Sequence, residues 1–271
     1  MVVPFDGTDE RLRELRGTLA TLRTRPGDEL IVSDNRHDPV RTPAFARNRG
    51  AHGARGEWLV FVDADTIPDP GLLDAYFDPP PRSQTGILAG SIRDVAVRET
   101  PTARSIVASE RMSQQATLGR TGTPYAQTAN CAIRRSAFEA AGGFEEAARA
   151  GEDADLCFRL QHAGWEIEER PGAAVDHRSR ESVTAWLAQM VRHGSGAAWI
   201  ERRWPGELAA LGPRRLARRL ARGAADAAGA AARGELEPAT DAILDSLGAA
   251  AFELGRLLPN TRYASTDRMT R

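Results

Sequence analysis

At 271 residues and 41% hydrophobic, the chain is long enough for one α/β domain of about 200 residues with its own core, plus an appendage. Its 36 basic and 37 acidic residues sum to a net charge of -1, which excludes a global basic field for nucleic acid. Every basic residue is Arg, so Schiff-base, phosphate-loop and general-base lysines are excluded, and two cysteines, Cys131 and Cys157, are too few for a disulfide framework.

Met1 to Phe5 reads as a short first strand. Thr8 is placed to cap a helix that lines up Leu12, Leu15, Leu19 and Leu22 on one face, and Pro26-Gly27 ends that unit. A second strand is predicted over Glu29 to Ser33, with the polar turn Asp34-Asn35 after it. Thr42 to Gly53 is predicted helical. Gly56 introduces Trp58 to Val62, a wholly apolar run expected of a strand covered on both faces. Further strands are predicted over 86–92, 126–133, 165–169 and 173–177. Helices are predicted over 101–118, 134–140, 152–163 and 182–199. Beyond Pro205 the composition shifts to Ala and Arg, and Ile243, Leu247, Ala251, Leu254 and Leu258 recur at helical spacing.

Alternating strands and helices at the start of the chain predict βαβ units and a Rossmann-like, mostly parallel sheet flanked by helices. Ligands in such sheets bind beyond the carboxyl ends of the strands. Two acidic groups fall there: Asp34 after the second strand, and Asp63-Ala64-Asp65 after the third. Two carboxylates this close repel unless a cation sits between them, and a hard divalent ion shared with a diphosphate satisfies such a pair. An exposed acidic turn would also satisfy the bare triplet.

Five segments, taken in order, resemble family 2 glycosyltransferases. They are Val3-Pro4-Phe5; Ile31-Val32-Ser33-Asp34-Asn35; Ala46-Arg47-Asn48-Arg49-Gly50 running on to Gly56 through Thr66; Thr128 through Arg135, which is similar to the family's G-x-N-x-x-x-R-R; and Gly151-Glu152-Asp153-Ala154-Asp155-Leu156-Cys157-Phe158-Arg159-Leu160, similar to G-E-D-x-D-L-x-x-R-L. The resemblance covers roughly residues 1–200 and implies a GT-A-type fold. It implies a nucleotide-diphosphate sugar donor linked to UDP or GDP, a divalent metal (Mn2+ or Mg2+) and transfer to an acceptor hydroxyl with inversion. It also implies residue roles. Asp34 reads the donor base and Arg47 helps hold the nucleotide. Asp63 and Ala64 line the ribose and metal, and Asp65 is the direct metal ligand. Asn130 and Glu152 line the donor site, Asp153 is the base, and His177 completes the metal shell. Gln189-Met190-Val191-Arg192-His193 resembles a Q-x-x-R-W element, which would bring Arg192 to the diphosphate or acceptor. Ala129 stands where Gly is usual. His193 replaces the Trp of processive relatives, which argues against polymerisation.

On this reading, residues 1–200 form the catalytic domain, with a nucleotide-sugar half over 1–95 and an acceptor half over 96–200. A C-terminal helical extension covers 201–271. The acceptor expected is a lipid-linked or cell-envelope glycan. Met1 to Pro4 has no signal-peptide pattern, and Trp58 to Val62 is too short to span a bilayer. A cytoplasmic setting follows, with peripheral contact to the inner face of a membrane through the Arg-rich run at Arg214 to Arg222. A sugar-phosphate nucleotidyltransferase is the alternative enzyme, but it would open with a Gly-rich basic loop where this chain has the acidic Phe5-Asp6-Gly7-Thr8-Asp9-Glu10. The alternative without catalysis is a silent GT-A-like binding domain.

Overall fold

The computed structural model describes residues 1–109 and 113–261. The chain runs β1 (Val2–Phe5), α1 (Asp9–Leu19), β2 (Ile31–Asp34), α2 (Pro43–Gly53), β3 (Trp58–Val62), β4 (Thr66–Pro68), α3 (Leu72–Phe77) and β5 (Thr85–Val95). It continues through α4 (Pro101–Ala108), α5 (Gln114–Leu118), β6 (Asn130–Arg134), α6 (Arg135–Ala140), α7 (Glu152–His162), β7 (Glu166–Arg178), α8 (Val183–Arg203), α9 (Pro213–Ala232) and α10 (Leu236–Gly255). The helix predicted over 101–118 is found as α4 and α5, and residues 110–112 of it lie outside the described residues.

Seven strands form one sheet in the order β2-β1-β3-β6-β5-β7-β4. Pairing is parallel between β1 and β2 and between β1 and β3. Pairing is antiparallel between β3 and β6, between β5 and β6, and between β4 and β7. The expected mostly parallel sheet is therefore a mixed one: β5 and β7, neighbours in it, also run in the same direction, with Glu166 N on Gln84 O and Ser179 N on Val95 O. The βαβ rule governs only where a helix crosses over between neighbouring strands; β4, for one, follows β3 after a three-residue turn and pairs with β7 instead.

Strand β3 shows why the sheet is covered on both sides. Val60 and Val62 join Val3, Phe5, Leu15, Leu19, Leu72 and Tyr76 in one cluster. Leu59 and Phe61 face the other way, to Val2, Ala44, Ile133, Phe138, Phe144 and Leu156. The period of two along a strand sends alternate side chains to opposite faces, so a five-residue apolar run feeds two cores. Helix α2 lies tight on β1: a Cβ at Gly50 would sit 2.4 Å from Val2 Cγ1.

Two departures from the sequence prediction have local causes. The strand predicted from residue 126 begins only at Asn130, because backbone groups before it bond elsewhere. Gln127 N donates to the buried Gln114 Oε1 at 2.8 Å, and Gln114 Nε2 donates to Asn130 O at 3.0 Å. The two strands predicted around Pro171-Gly172 are one strand, β7. Proline lacks only the donor, and the Pro171 carbonyl still accepts, from Ser91 Oγ at 3.0 Å.

The chain divides into two compact units. The first holds residues 1–93 and the described residues of 112–177, with Thr261. The second holds the described residues of 94–111 together with Arg178–Asn260. Residue 200, the predicted boundary, lies inside α8. In the second unit α10 packs against both α8 and α9, and Trp186 joins Ile106 and Leu244 in its core. Glycines allow the α8–α10 approach: a Cβ at Gly194 would fall 1.9 Å from Phe252 O, and one at Gly248 2.5 Å from the Trp186 indole. Among the described residues, no helix is long and apolar enough to cross a membrane.

Candidate active site

The first unit gathers its acids where β1, β2 and β3 end. At the end of β3 the chain turns at once. Thr66 N and Oγ1 both donate to the Asp63 carbonyl, at 3.2 and 2.8 Å, and this closes Asp63-Ala64-Asp65 into a tight loop. Ala64 packs its methyl on the first core cluster. The turn leads directly into β4, whose Thr66 lies opposite His177 of β7. That register brings His177 Nε2 to 3.9 Å from Asp65 Oδ1, with the imidazole buried and the carboxylate partly open. Two strands distant in sequence thus bring together the two residues predicted to hold a metal.

Helix α2 supplies the centre of the cluster. Its start is fixed by Thr42, whose Oγ1 accepts from Phe45 N at 3.2 Å and donates to the Glu146 carbonyl at 2.6 Å. One turn on, Asn48 clamps the helix to the loop ahead of α7. Its Nδ2 donates to Phe144 O at 2.9 Å, and its Oδ1 accepts from Phe144 N at 2.9 Å. Arg47 then points inward. Its Nη2 meets Asp63 Oδ1 at 2.5 Å and its Nη1 meets Glu152 Oε1 at 2.7 Å. The Arg47 side chain is 3% exposed and that of Glu152 8%, against 29% for Asp63. A buried charge must be paired, because desolvation costs several kcal/mol per ion, and here one cation answers two acids from different elements.

Asp153 follows Glu152 in the first turn of α7, which Gly151 enters in the left-handed conformation at φ 85°. Desolvation and the neighbouring Glu152 push the Asp153 carboxyl up to about 7, opposed by the Ala154 amide and by Arg47. Such a carboxyl can hold or release a proton near neutrality, as a general base requires. Asp155 is fully buried and ion-paired to Arg159 at 2.9 Å. Arg159 also donates to the Gly143 carbonyl at 2.7 Å, so Asp155 anchors α7 through Arg159 to the loop after α6.

The remaining predicted residues have other partners. Asp34 ends β2 and is forked by Arg36, with Nε to Oδ1 at 3.0 Å and Nη2 to Oδ2 at 2.7 Å. The Arg36 hydrogen bond holds the Asp34 carboxyl below the usual carboxylate range. Asn130 is 0% exposed, and its amide serves the sheet. Nδ2 donates to Ser91 O at 2.9 Å and Ala173 O at 2.7 Å, while Oδ1 accepts from Tyr76 OH at 2.7 Å. Arg192 lies in α8 of the second unit, where its carbonyl accepts from Ser195 Oγ. Sequence reasoning missed Arg36 and Tyr76, which no motif flagged, and it gave no role to Asn48 although it quoted that residue.

The mixed seven-stranded sheet flanked by helices has a GT-A-type fold. The chain belongs to glycosyltransferase family 2: a family model described as glycosyltransferase like family 2 matches residues 16–196. It is 31% identical over 238 residues to a pre-mycofactocin glycosyltransferase of Mycobacterium tuberculosis, covering 78% of this chain and 49% of that protein. It is 32% identical over 149 residues to an N-acetylglucosaminyl-diphospho-decaprenol L-rhamnosyltransferase of the same species, covering 47% of this chain and 48% of that protein. The chain thus spans about half the length of these curated relatives. A solved mannosyltransferase from Pyrobaculum calidifontis, in complex with GDP-Man and Mn2+, shares the fold with a TM-score of 0.61 at 18% identity, over 94% of this chain and 85% of that one.

Proposed function

We propose that the chain moves a sugar from a nucleotide-diphosphate sugar to an acceptor hydroxyl, by single displacement with inversion and with Asp153 as the base. The observation that carries this reading is the Asp63–Arg47–Glu152 bridge, 2.5 Å on one side and 2.7 Å on the other. It ties the strand-end acids to the helix that carries Asp153, so that donor-side and acceptor-side groups share one cluster.

The residues at Asp65 fit a divalent ion. Among the described residues no group of three His, Cys, Asp or Glu side chains could hold a metal alone. Asp65 and His177 supply an oxygen and a nitrogen and leave other positions for diphosphate oxygens, as suits an ion that arrives with its ligand. When bound, Mn2+ or Mg2+ would neutralise the charge that builds on the leaving diphosphate. Asp63, the most open of the three bridged residues, is assigned to the ribose side. Asp34, oriented by Arg36, is assigned to the nucleoside base. Asp153 takes the acceptor proton at a carboxylate oxygen as the new bond forms. Asn130 supports the site from beneath by joining β5, β6 and β7.

UDP- and GDP-linked sugars are the donors proposed, and a lipid-linked or cell-envelope glycan is the acceptor. The name of the rhamnosyltransferase relative, which carries a diphospho-decaprenol sugar, supports that acceptor class. Helix α9 bears Arg214, Arg215, Arg218 and Arg222, all exposed, and we assign this face to an anionic membrane surface. Release of nucleoside diphosphate from a panel of sugar nucleotides, with and without metal, tests the reading. A nucleotidyltransferase would release pyrophosphate instead, and a silent domain would release nothing.

A further inference from the structure

The resemblance assigns Arg47 to the nucleotide, but its surroundings argue for other work. Both terminal nitrogens of its guanidinium are engaged by acids, Nη2 by Asp63 and Nη1 by Glu152. The side chain is 3% exposed while Asp63, one bond away, keeps 29%. The acid therefore faces outward and the cation lies behind it. The guanidinium carbon also stands 5.8 Å from the Phe144 ring centroid, in the loop that Asn48 clamps to the same helix. Nε is buried with no hydrogen-bond partner, so the hydrogen bonds that orient the fork are those to the two acids. The two acids come from separate elements, the end of β3 and the start of α7, and Arg47 bridges them.

We infer that Arg47 is a positioning residue, a buried cation that braces Asp63 against Glu152 and through Glu152 holds the first turn of α7, with Asp153 on it, in register with the strand-end acids. The inference rests on the functional reading above and gives Arg47 a place in it that does not touch the donor. Removing the cation alone leaves Glu152 buried without its counter-charge beside Asp153, which is the costly way to break such a bridge. Removing the cation together with the Glu152 charge leaves no unpaired Glu152, and it removes two opposed influences on the Asp153 carboxyl at once.

The experiment compares wild type, Arg47→Met, Glu152→Gln and the double variant. It reads donor KM, kcat and urea unfolding for each, with Mn2+ and the best donor of the sugar-nucleotide panel. Arg47→Met is expected to lower kcat by about 10² while donor KM stays within about threefold. The double variant is expected to recover at least about tenfold of that loss. A donor KM raised more than about tenfold in Arg47→Met, or a double variant as impaired as the two losses combined, overturns the inference. An inactive wild type would instead defeat the functional reading. The unfolding data would still decide on the brace, since coupling between Arg47 and Glu152 supports it and additive losses of stability overturn it. If Arg47→Met does not fold, the double variant does so on this account, and failure of both counts against it.

Discussion

Thr66 and His177 are opposite partners in the antiparallel β4–β7 pair, and this register brings His177 Nε2 to 3.9 Å from Asp65 Oδ1. The three-residue strand β4 is thereby what joins the two proposed metal ligands. Asp65→Ala is expected to abolish Mn2+-dependent binding of UDP or GDP, and His177→Ala to weaken it by about 10- to 100-fold. Calorimetry with the nucleoside diphosphate and Mn2+ measures both. Unchanged affinity in Asp65→Ala would remove the metal assignment.

The base assignment separates two adjacent acids. Asp153→Asn keeps the shape and removes the basic oxygen, so transfer is expected to fall by about 10² to 10⁴ with donor affinity nearly intact. Glu152→Gln is expected to be milder, because Arg47 keeps its bond to Asp63. Steady-state transfer rates for both variants are the check. A more damaging Glu152→Gln would move the base by one residue.

The pH dependence follows from the raised Asp153 carboxyl. The ionised form is the base, so kcat/KM is expected to fall about tenfold per pH unit below about 7, where Asp153 takes up its proton. Stability runs the other way. The folded-state value lies above the unfolded one near 4, so the folded chain binds the extra proton between the two values. The stability this confers is present below about 4 and lost as pH rises through about 7. Asp153→Asn should therefore gain on wild type in urea unfolding as pH increases across that window. A constant difference between pH 4 and 8 would contradict the cause assigned here.

Much of this site was legible in the sequence because strand ends are legible. Trp58 to Val62 marks itself by its apolar run, and whatever follows such a strand in an α/β sheet lies at the ligand edge, so Asp63 and Asp65 could be located from pattern alone. The helix start at Glu152-Asp153 was legible in the same way. The brace was not, because Arg47 and Glu152 are 105 residues apart and no local period couples them. The antiparallel setting of β6 was hidden too: such a strand shows its apolar character but not its direction. Asn130 carried a motif signal that the fold uses for joining strands, since an amide has donors and an acceptor enough to satisfy three buried partners at once.

The second unit offers a test of packing. A methyl at Gly194 meets the Phe252 carbonyl at 1.9 Å, and backbone cannot move aside as a side chain can. Gly194→Ala is expected to destabilise by about 1–3 kcal/mol through overpacking of α8 on α10. Gly17→Ala, where the added Cβ meets nothing within 4 Å, is the control and should gain slightly from helix propensity. Thermal unfolding of the two variants decides, and equal effects would contradict the close approach.

The Arg face of α9 is tested by flotation. Arg219 is paired to Asp245 at 2.8 Å, so the face presented to a surface is Arg214, Arg215, Arg218 and Arg222. Replacing these four by Gln should abolish binding to anionic vesicles at low salt and leave neutral vesicles unaffected. Flotation of the wild type with neither kind of vesicle would withdraw the membrane assignment.

The central claim is metal-dependent sugar transfer with Asp153 as the base. It is tested most directly by nucleoside diphosphate release from UDP- and GDP-linked sugars, comparing wild type, Asp65→Ala and Asp153→Asn in Mn2+ and in chelator. Release from at least one donor is expected of the wild type only with metal, none is expected of Asp65→Ala, and release slowed by about 10² to 10⁴ is expected of Asp153→Asn. Equal release in chelator, or an Asp153→Asn rate within about threefold of wild type, would contradict it.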